Sequence, residues 1–142
     1  PMIISSGGNS GSQAATLIIR SLSTDDLKLD DWFGVLKREM LSGLFLGSIL
    51  GIMGTIVISF WMVIRGEPFS FEIFMQALTV GSSLVGVVLF GNISGSMLPF
   101  IMSKFGLDPA VTSAPFVATL VDVTGIIIYF SIAVFLLKGV VL

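Results

Sequence analysis

Asp122 makes the most demanding chemical claim in this chain. It interrupts an otherwise uncharged stretch from Pro109 to Leu137, long enough for a helix to cross a bilayer. Counted from Pro109 at about 1.5 Å per residue, the carboxylate is expected roughly 20 Å along that helix. Holding it there costs about 2.5 to 3.5 kcal/mol on insertion scales and more than about 10 in simulations of isolated helices. No buried Lys, Arg or His is available to pair with it, so Asp122 must meet water, bind a cation or take up a proton. Steps of three and four bring Val111, Pro115, Ala118, Asp122, Gly125 and Tyr129 to one side of a helix, with Thr119 beside them. That mostly small, partly polar stripe is expected to wall a path to the carboxylate. Pro115, which lacks an N–H, is expected to leave a backbone oxygen free near its mouth. The competing expectation is a protonated Asp122 bonded to Asn92 or Ser96 as packing glue.

A second group of polar residues runs from Ser5 to Gln13 and holds only Ser, Gly, Asn and Gln. Its hydroxyls and amides, with carbonyls exposed where the glycines loosen a helix, are hard donors that suit Mg²⁺, Ca²⁺ or Na⁺ rather than copper or zinc. The same composition suits an extramembrane linker. Magnitude limits what could pass. Moving a monovalent ion into low dielectric costs on the order of 20 kcal/mol, and the charge-squared dependence makes that roughly 80 for a bare divalent ion. A divalent ion must therefore keep most of its water, and a twofold axis would bring two copies of Asp122 and of the Ser/Gly/Asn run to one ion.

Composition says what surrounds these groups. Of 142 residues, 54% are hydrophobic and 11% charged, against roughly 25% charged in a soluble domain, so the expected solvent is lipid. With no Cys and no His, disulfides, thiolate and imidazole metal sites, cysteine nucleophiles and histidine-based triads are excluded. No phosphate-binding loop is present, and an intramembrane aspartyl protease would need a second buried acid, so an enzyme is not expected. The net charge of −2 gives no basis for nucleic-acid binding. The chain opens on Pro1 with no basic stretch before its first apolar residues, and it is expected to be part of something longer.

Removing charged positions leaves four candidate spans, approximately 1–20, 41–64, 73–103 and 109–137, in an all-α membrane protein. Five Lys and Arg (Arg20, Lys28, Lys37, Arg38, Lys104) fall on one side and two (Arg65, Lys138) on the other, which makes the first side cytoplasmic and the C-terminus extracytoplasmic. Within the connection 21–40, Leu29, Trp32, Phe33, Leu36 and Met40 recur at helical spacing. They form either a separate interfacial helix or the cytoplasmic beginning of the second span. Arg65 to Glu72, with Gly66 and Pro68, is expected to be a short outer turn. Gly43, Gly47, Gly51, Thr55 and Ser59 recur every four residues and predict a smooth face for close helix packing, an idea repeated by Ser82, Gly86, Gly91 and Gly95. Asn92 is expected to bond across to a neighbouring helix. Trp32, Trp61 and Tyr129 read as interfacial aromatics, and the seven Met residues as core filling.

Three segments together resemble the transmembrane domain of the MgtE family of magnesium channels and its animal solute-carrier relatives. They are PMIISSGGNSGSQ from Pro1, NISGSMLP from Asn92, and above all DPAVTSAPFVATLVDVTG from Asp108. The resemblance covers essentially the whole chain. It implies a homodimeric helix bundle in the cell membrane with a pore between subunits, passing hydrated Mg²⁺ down its electrochemical gradient, with Mn²⁺, Co²⁺ or Ca²⁺ as possible substitutes. It further implies that Asp122 contacts the hydrated ion near mid-membrane. Ala118 and Ala114 would be pore positions on the same helix, and Gly8 and Asn9 would face them. Ala114 stands where some relatives carry Asn. The family's first transmembrane helix and its cytoplasmic Mg²⁺-sensing domains have no counterpart in this sequence, so about four of five helices are expected here. The alternative is a divalent-metal exchanger that couples to H⁺ or Na⁺ and uses Asp122 as the carrier site.

Overall fold

The computed structural model describes residues 1–66 and 70–138. Its helices are α1 (Met2–Ser23), α2 (Trp32–Ile64), α3 (Phe71–Lys104) and α4 (Ala114–Leu137), with 3₁₀ turns at Leu29–Asp31 and Pro109–Thr112. The all-α expectation holds, and no strand occurs among the described residues. Three of the helical segments, Leu29–Ile64, Phe71–Lys104 and Ala114–Leu137, are long and apolar enough to cross a membrane. α1 falls outside that set because the run from Ser5 to Gln13 dilutes its hydropathy. It is nonetheless one continuous helix, so the linker reading of that run is set aside.

Two boundaries differ from the sequence reading. The second helix starts at Trp32, ahead of the charge-free stretch from Leu41, so Trp32, Phe33, Leu36 and Met40 belong to its first turns; of the two readings offered for them, the beginning of the second span holds and the separate interfacial helix does not. Lys37, Arg38 and Glu39 end a charge-free stretch, but they are good helix formers and do not end a helix. The fourth stretch is not one helix. Asp108 accepts a hydrogen bond from Ala110 N at 2.9 Å to open the 3₁₀ turn, Ser113 is extended at φ −56° and ψ 157°, and α4 begins only at Ala114. Pro115 therefore lies in the first turn, where a missing N–H costs nothing, and it frees no mid-helix carbonyl. Asp122 is eight residues past Ala114 (122 − 114), about 12 Å along the helix instead of 20. Of the expected outer turn, residues 67–69 lie outside the described residues.

α3 is the central helix and packs against the other three. It can do so because each of its faces carries small residues. Toward α2, a Cβ placed on Gly47 would stand 3.0 Å from Val85 Cα, and one on Gly51 would stand 2.7 Å from Gly81 O. Thr55 Oγ1 donates within this contact, to Gly51 O at 2.9 Å and Ala77 O at 3.3 Å. The four-residue stripe is thus a packing face from Gly43 to Thr55, and α3 answers it with Gly81, one residue before the expected Ser82. Gly91 and Gly95 face α1, where a Cβ on Gly11 would stand 2.7 Å from Gly91 O. Gly86 faces Ile128 and Ile132 of α4. Lipid offers no hydrophobic drive between apolar helices, so such backbone approach supplies the packing contacts that hold the bundle.

Candidate functional site

α1 and α4 lie side by side, and each divides sharply between an inner and an outer face. On α1 the buried residues are Gly7, Gly8, Gly11, Ala14, Ala15 and Ile18. The polar Ser5, Asn9, Gln13 and Thr16 are exposed on the opposite side, three or four residues apart. A helix that buries glycine and alanine and presents amides and hydroxyls is not shaped for lipid. On α4 the inward residues are Val117, Val121 and Gly125. Val117 and Val121 pack with Ala15 and Val87, and this anchorage turns the next residue, Asp122, to the outside.

An open cleft of ≈ 330 Å³ lies along the seam, lined by Pro1, Ile4, Ser5, Gly8, Asn9, Ala118, Asp122 and Ile126. Four of the five residues singled out from the sequence, Gly8, Asn9, Ala118 and Asp122, therefore meet in one place. Gly8 forms the floor beside the carboxylate: a Cβ there would stand 3.2 Å from Asp122 Oδ1 and 3.7 Å from Ala118 Cα. Ala114 belongs elsewhere. It lines a second cleft of ≈ 470 Å³ with Ser12, Gln13, Thr16 and Leu17, and its carbonyl accepts a hydrogen bond from Ser12 Oγ at 2.9 Å. The expected stripe on α4 divides as well, since Gly125 turns inward to Val87 and Ile4 and Val111 sits in the 3₁₀ turn. Ile4 and Ile126 were missed by the sequence reading. Each lies four residues from a recognised member, Gly8 and Asp122, which is the signal that could have found them.

Asp122 is bonded to neither Asn92 nor Ser96. Among the described residues its carboxylate accepts no side-chain hydrogen bond, and the two partners considered for it are engaged otherwise. Ser96 Oγ donates to Ile93 O at 3.1 Å. Asn92 accepts from Ser10 Oγ and donates to Glu39 Oε2 at 3.3 Å, so it bonds across to two neighbouring helices as expected of an intramembrane amide. The cleft thus offers a carboxylate and an amide oxygen as free acceptors. Among the described residues no three acidic side chains lie close enough to hold a metal ion directly. A carboxylate and an amide oxygen can accept hydrogen bonds from the water around a cation.

The family model MgtE, described as divalent cation transporter, matches residues 1–132. A magnesium transporter MgtE of Thermus thermophilus is 46% identical over 142 residues, covering 99% of this chain and 29% of that protein. Similar proteins of the same name from Enterococcus faecalis and Bacillus subtilis are 33% and 31% identical, covering 93% and 94% of this chain and 27% and 28% of theirs. The chain spans under a third of the length of these relatives. An all-helical bundle with three membrane-length helices, matched over nearly its whole length in sequence, is a multi-pass membrane segment that belongs to the MgtE family.

Proposed function

We propose that this protein moves hydrated Mg²⁺ across the cell membrane and that the seam between α1 and α4 lines the route. The observation that carries this reading is the position of Asp122. It sits on an apolar helix of membrane length, yet it is exposed in an open cleft beside Asn9 and Gly8 instead of being neutralised by a neighbour. In a lone protomer that cleft would open onto lipid, so a second copy facing it across a twofold axis completes the path and doubles the carboxylates. The names of the relatives support magnesium as the substrate. Mn²⁺ and Ca²⁺ share its preference for oxygen, and they and Co²⁺ are expected to compete.

The magnitudes are suited to passage. A divalent charge about 4.5 Å from one carboxylate, with water between, is attracted by about 2 kcal/mol at bulk dielectric and about 7 at an effective value of 20. Two carboxylates can draw in a hydrated ion without stripping it, which Mg²⁺ resists in any case. An inside-negative potential supplies about 4.6 kcal/mol per Mg²⁺ at 100 mV, enough for uptake without ATP. The C-terminal end of α4 lies outside the cell in this arrangement.

Flux into proteoliposomes tests the reading. Mg²⁺ entry should follow an imposed potential with no H⁺ or Na⁺ gradient, and Asp122→Ala should remove it while leaving the dimer intact. Entry that demands a counter-gradient would replace the channel with a cation-coupled exchanger. Unchanged entry in the variant would refute the assignment of Asp122.

A further inference from the structure

The polar side chains that tie α1 to the bundle end on a carboxylate outside the cleft. Asn92, on α3, is 4% exposed. Its Oδ1 accepts from Ser10 Oγ on α1, and its Nδ2 donates to Glu39 Oε2 on α2 at 3.3 Å. With its NH₂ group donating to the Glu39 carboxyl oxygen, the Asn92 amide presents its own oxygen to Ser10. Ser10 follows Asn9 and Gly8 directly in the chain. Beside it α1 and α3 meet glycine on glycine, with a Cβ on Gly11 only 2.7 Å from Gly91 O. Glycine surfaces bring backbones close but are smooth, and by themselves they resist sliding and rotation poorly. A directional hydrogen bond from Ser10 resists both.

We propose that Glu39 is a positioning residue for the cleft, acting through Asn92 and Ser10. Its carboxylate fixes the Asn92 amide, the amide fixes the rotation of α1, and that rotation sets where Gly8 and Asn9 stand relative to Asp122 on α4. The proposal rests on the reading of the cleft as the Mg²⁺ route. Among the described residues neither Glu39 nor any other residue of α2 lines the cleft.

The test uses Glu39→Gln, whose amide oxygen can still accept from Asn92, and Glu39→Ala, which cannot. In proteoliposomes the Mg²⁺ concentration at half-maximal flux should rise about three- to tenfold for Glu39→Ala and stay near native for Glu39→Gln. A second measurement reads geometry alone. The chain has no cysteine, so spin labels on Ser5→Cys and Ile126→Cys report the width of the cleft, and their distance distribution should broaden in Glu39→Ala only. Native half-saturation and an unbroadened distance in Glu39→Ala would overturn the proposal. So would a Glu39→Gln variant as impaired as Glu39→Ala, because the negative charge and not the hydrogen bond would then matter. Asp122→Asn, run alongside, separates the two levels. Retained flux there overturns the reading of the cleft, whereas lost flux with a native Glu39→Ala overturns only the positioning role.

Discussion

Two glycines of α1, three residues apart, should respond oppositely to the same added methyl group. At Gly11 a Cβ would lie 2.7 Å from Gly91 O and 3.0 Å from Gly91 C, against backbone that cannot yield without separating α1 from α3. Overpacking of that kind costs about 1 to 3 kcal/mol. At Gly8 the nearest atom is Asp122 Oδ1 at 3.2 Å, the end of a side chain that opens onto the cleft and can swing away. There the fold should gain, because alanine is favoured over glycine in a helix by about 0.5 to 1 kcal/mol. Function should lose, since the methyl displaces the carboxylate and takes space that the water around an ion would use. Unfolding followed through Trp32 and Trp61 fluorescence, paired with Mg²⁺ flux, distinguishes the two. Gly8→Ala should unfold no more easily than the native protein yet need more Mg²⁺ for half-maximal flux, and Gly11→Ala should unfold more easily. If Gly8→Ala is as destabilised as Gly11→Ala, or if its flux curve is unchanged, the reasoning from these contacts is wrong.

Cysteines introduced at Asn9 and Ala118 should react with a charged, water-soluble thiol reagent and be shielded by Mg²⁺, while one at Val117, buried against Ala15 and Val87, should not react; uniform reactivity would contradict the cleft. Gly81→Ala would set a methyl 2.9 Å from Gly51 O and against Thr55 Oγ1, so α2 should loosen from α3 at a cost of about 1 to 3 kcal/mol in unfolding free energy. An unfolding curve that matches the native protein would show that this glycine contact is not close.

The helices themselves were largely legible in the sequence because lipid demands long uncharged stretches, and the stripe from Gly43 to Thr55 announced a packing face through its spacing alone. Their ends were not. Charge marks where a span leaves hydrocarbon, but Lys37, Arg38 and Glu39 extend α2 beyond that limit as ordinary helical residues. Pro115 reads the same way in the middle of a helix as in its first turn, and only the extended Ser113 decides between them. Asp122 was recognisable from the cost of its charge, and its closeness to Gly8 and Asn9 followed from resemblance, not from periodicity. The separation of Ala114 into a neighbouring cleft depends on how α1 runs along α4, which no local pattern encodes. The bonds of Asn92 to Ser10 and Glu39 join residues 82 and 53 positions apart, so an amide that plainly needed a partner gave no hint of which one.

The central claim is that the Asp122 carboxylate guides a hydrated Mg²⁺ through the membrane. Asp122→Asn keeps the shape of the side chain and removes its charge, so the most direct measurement is potential-driven Mg²⁺ entry into proteoliposomes carrying this variant beside the native protein. The account predicts that entry falls to the level of empty liposomes while the protein remains folded. Entry at the native rate would contradict it.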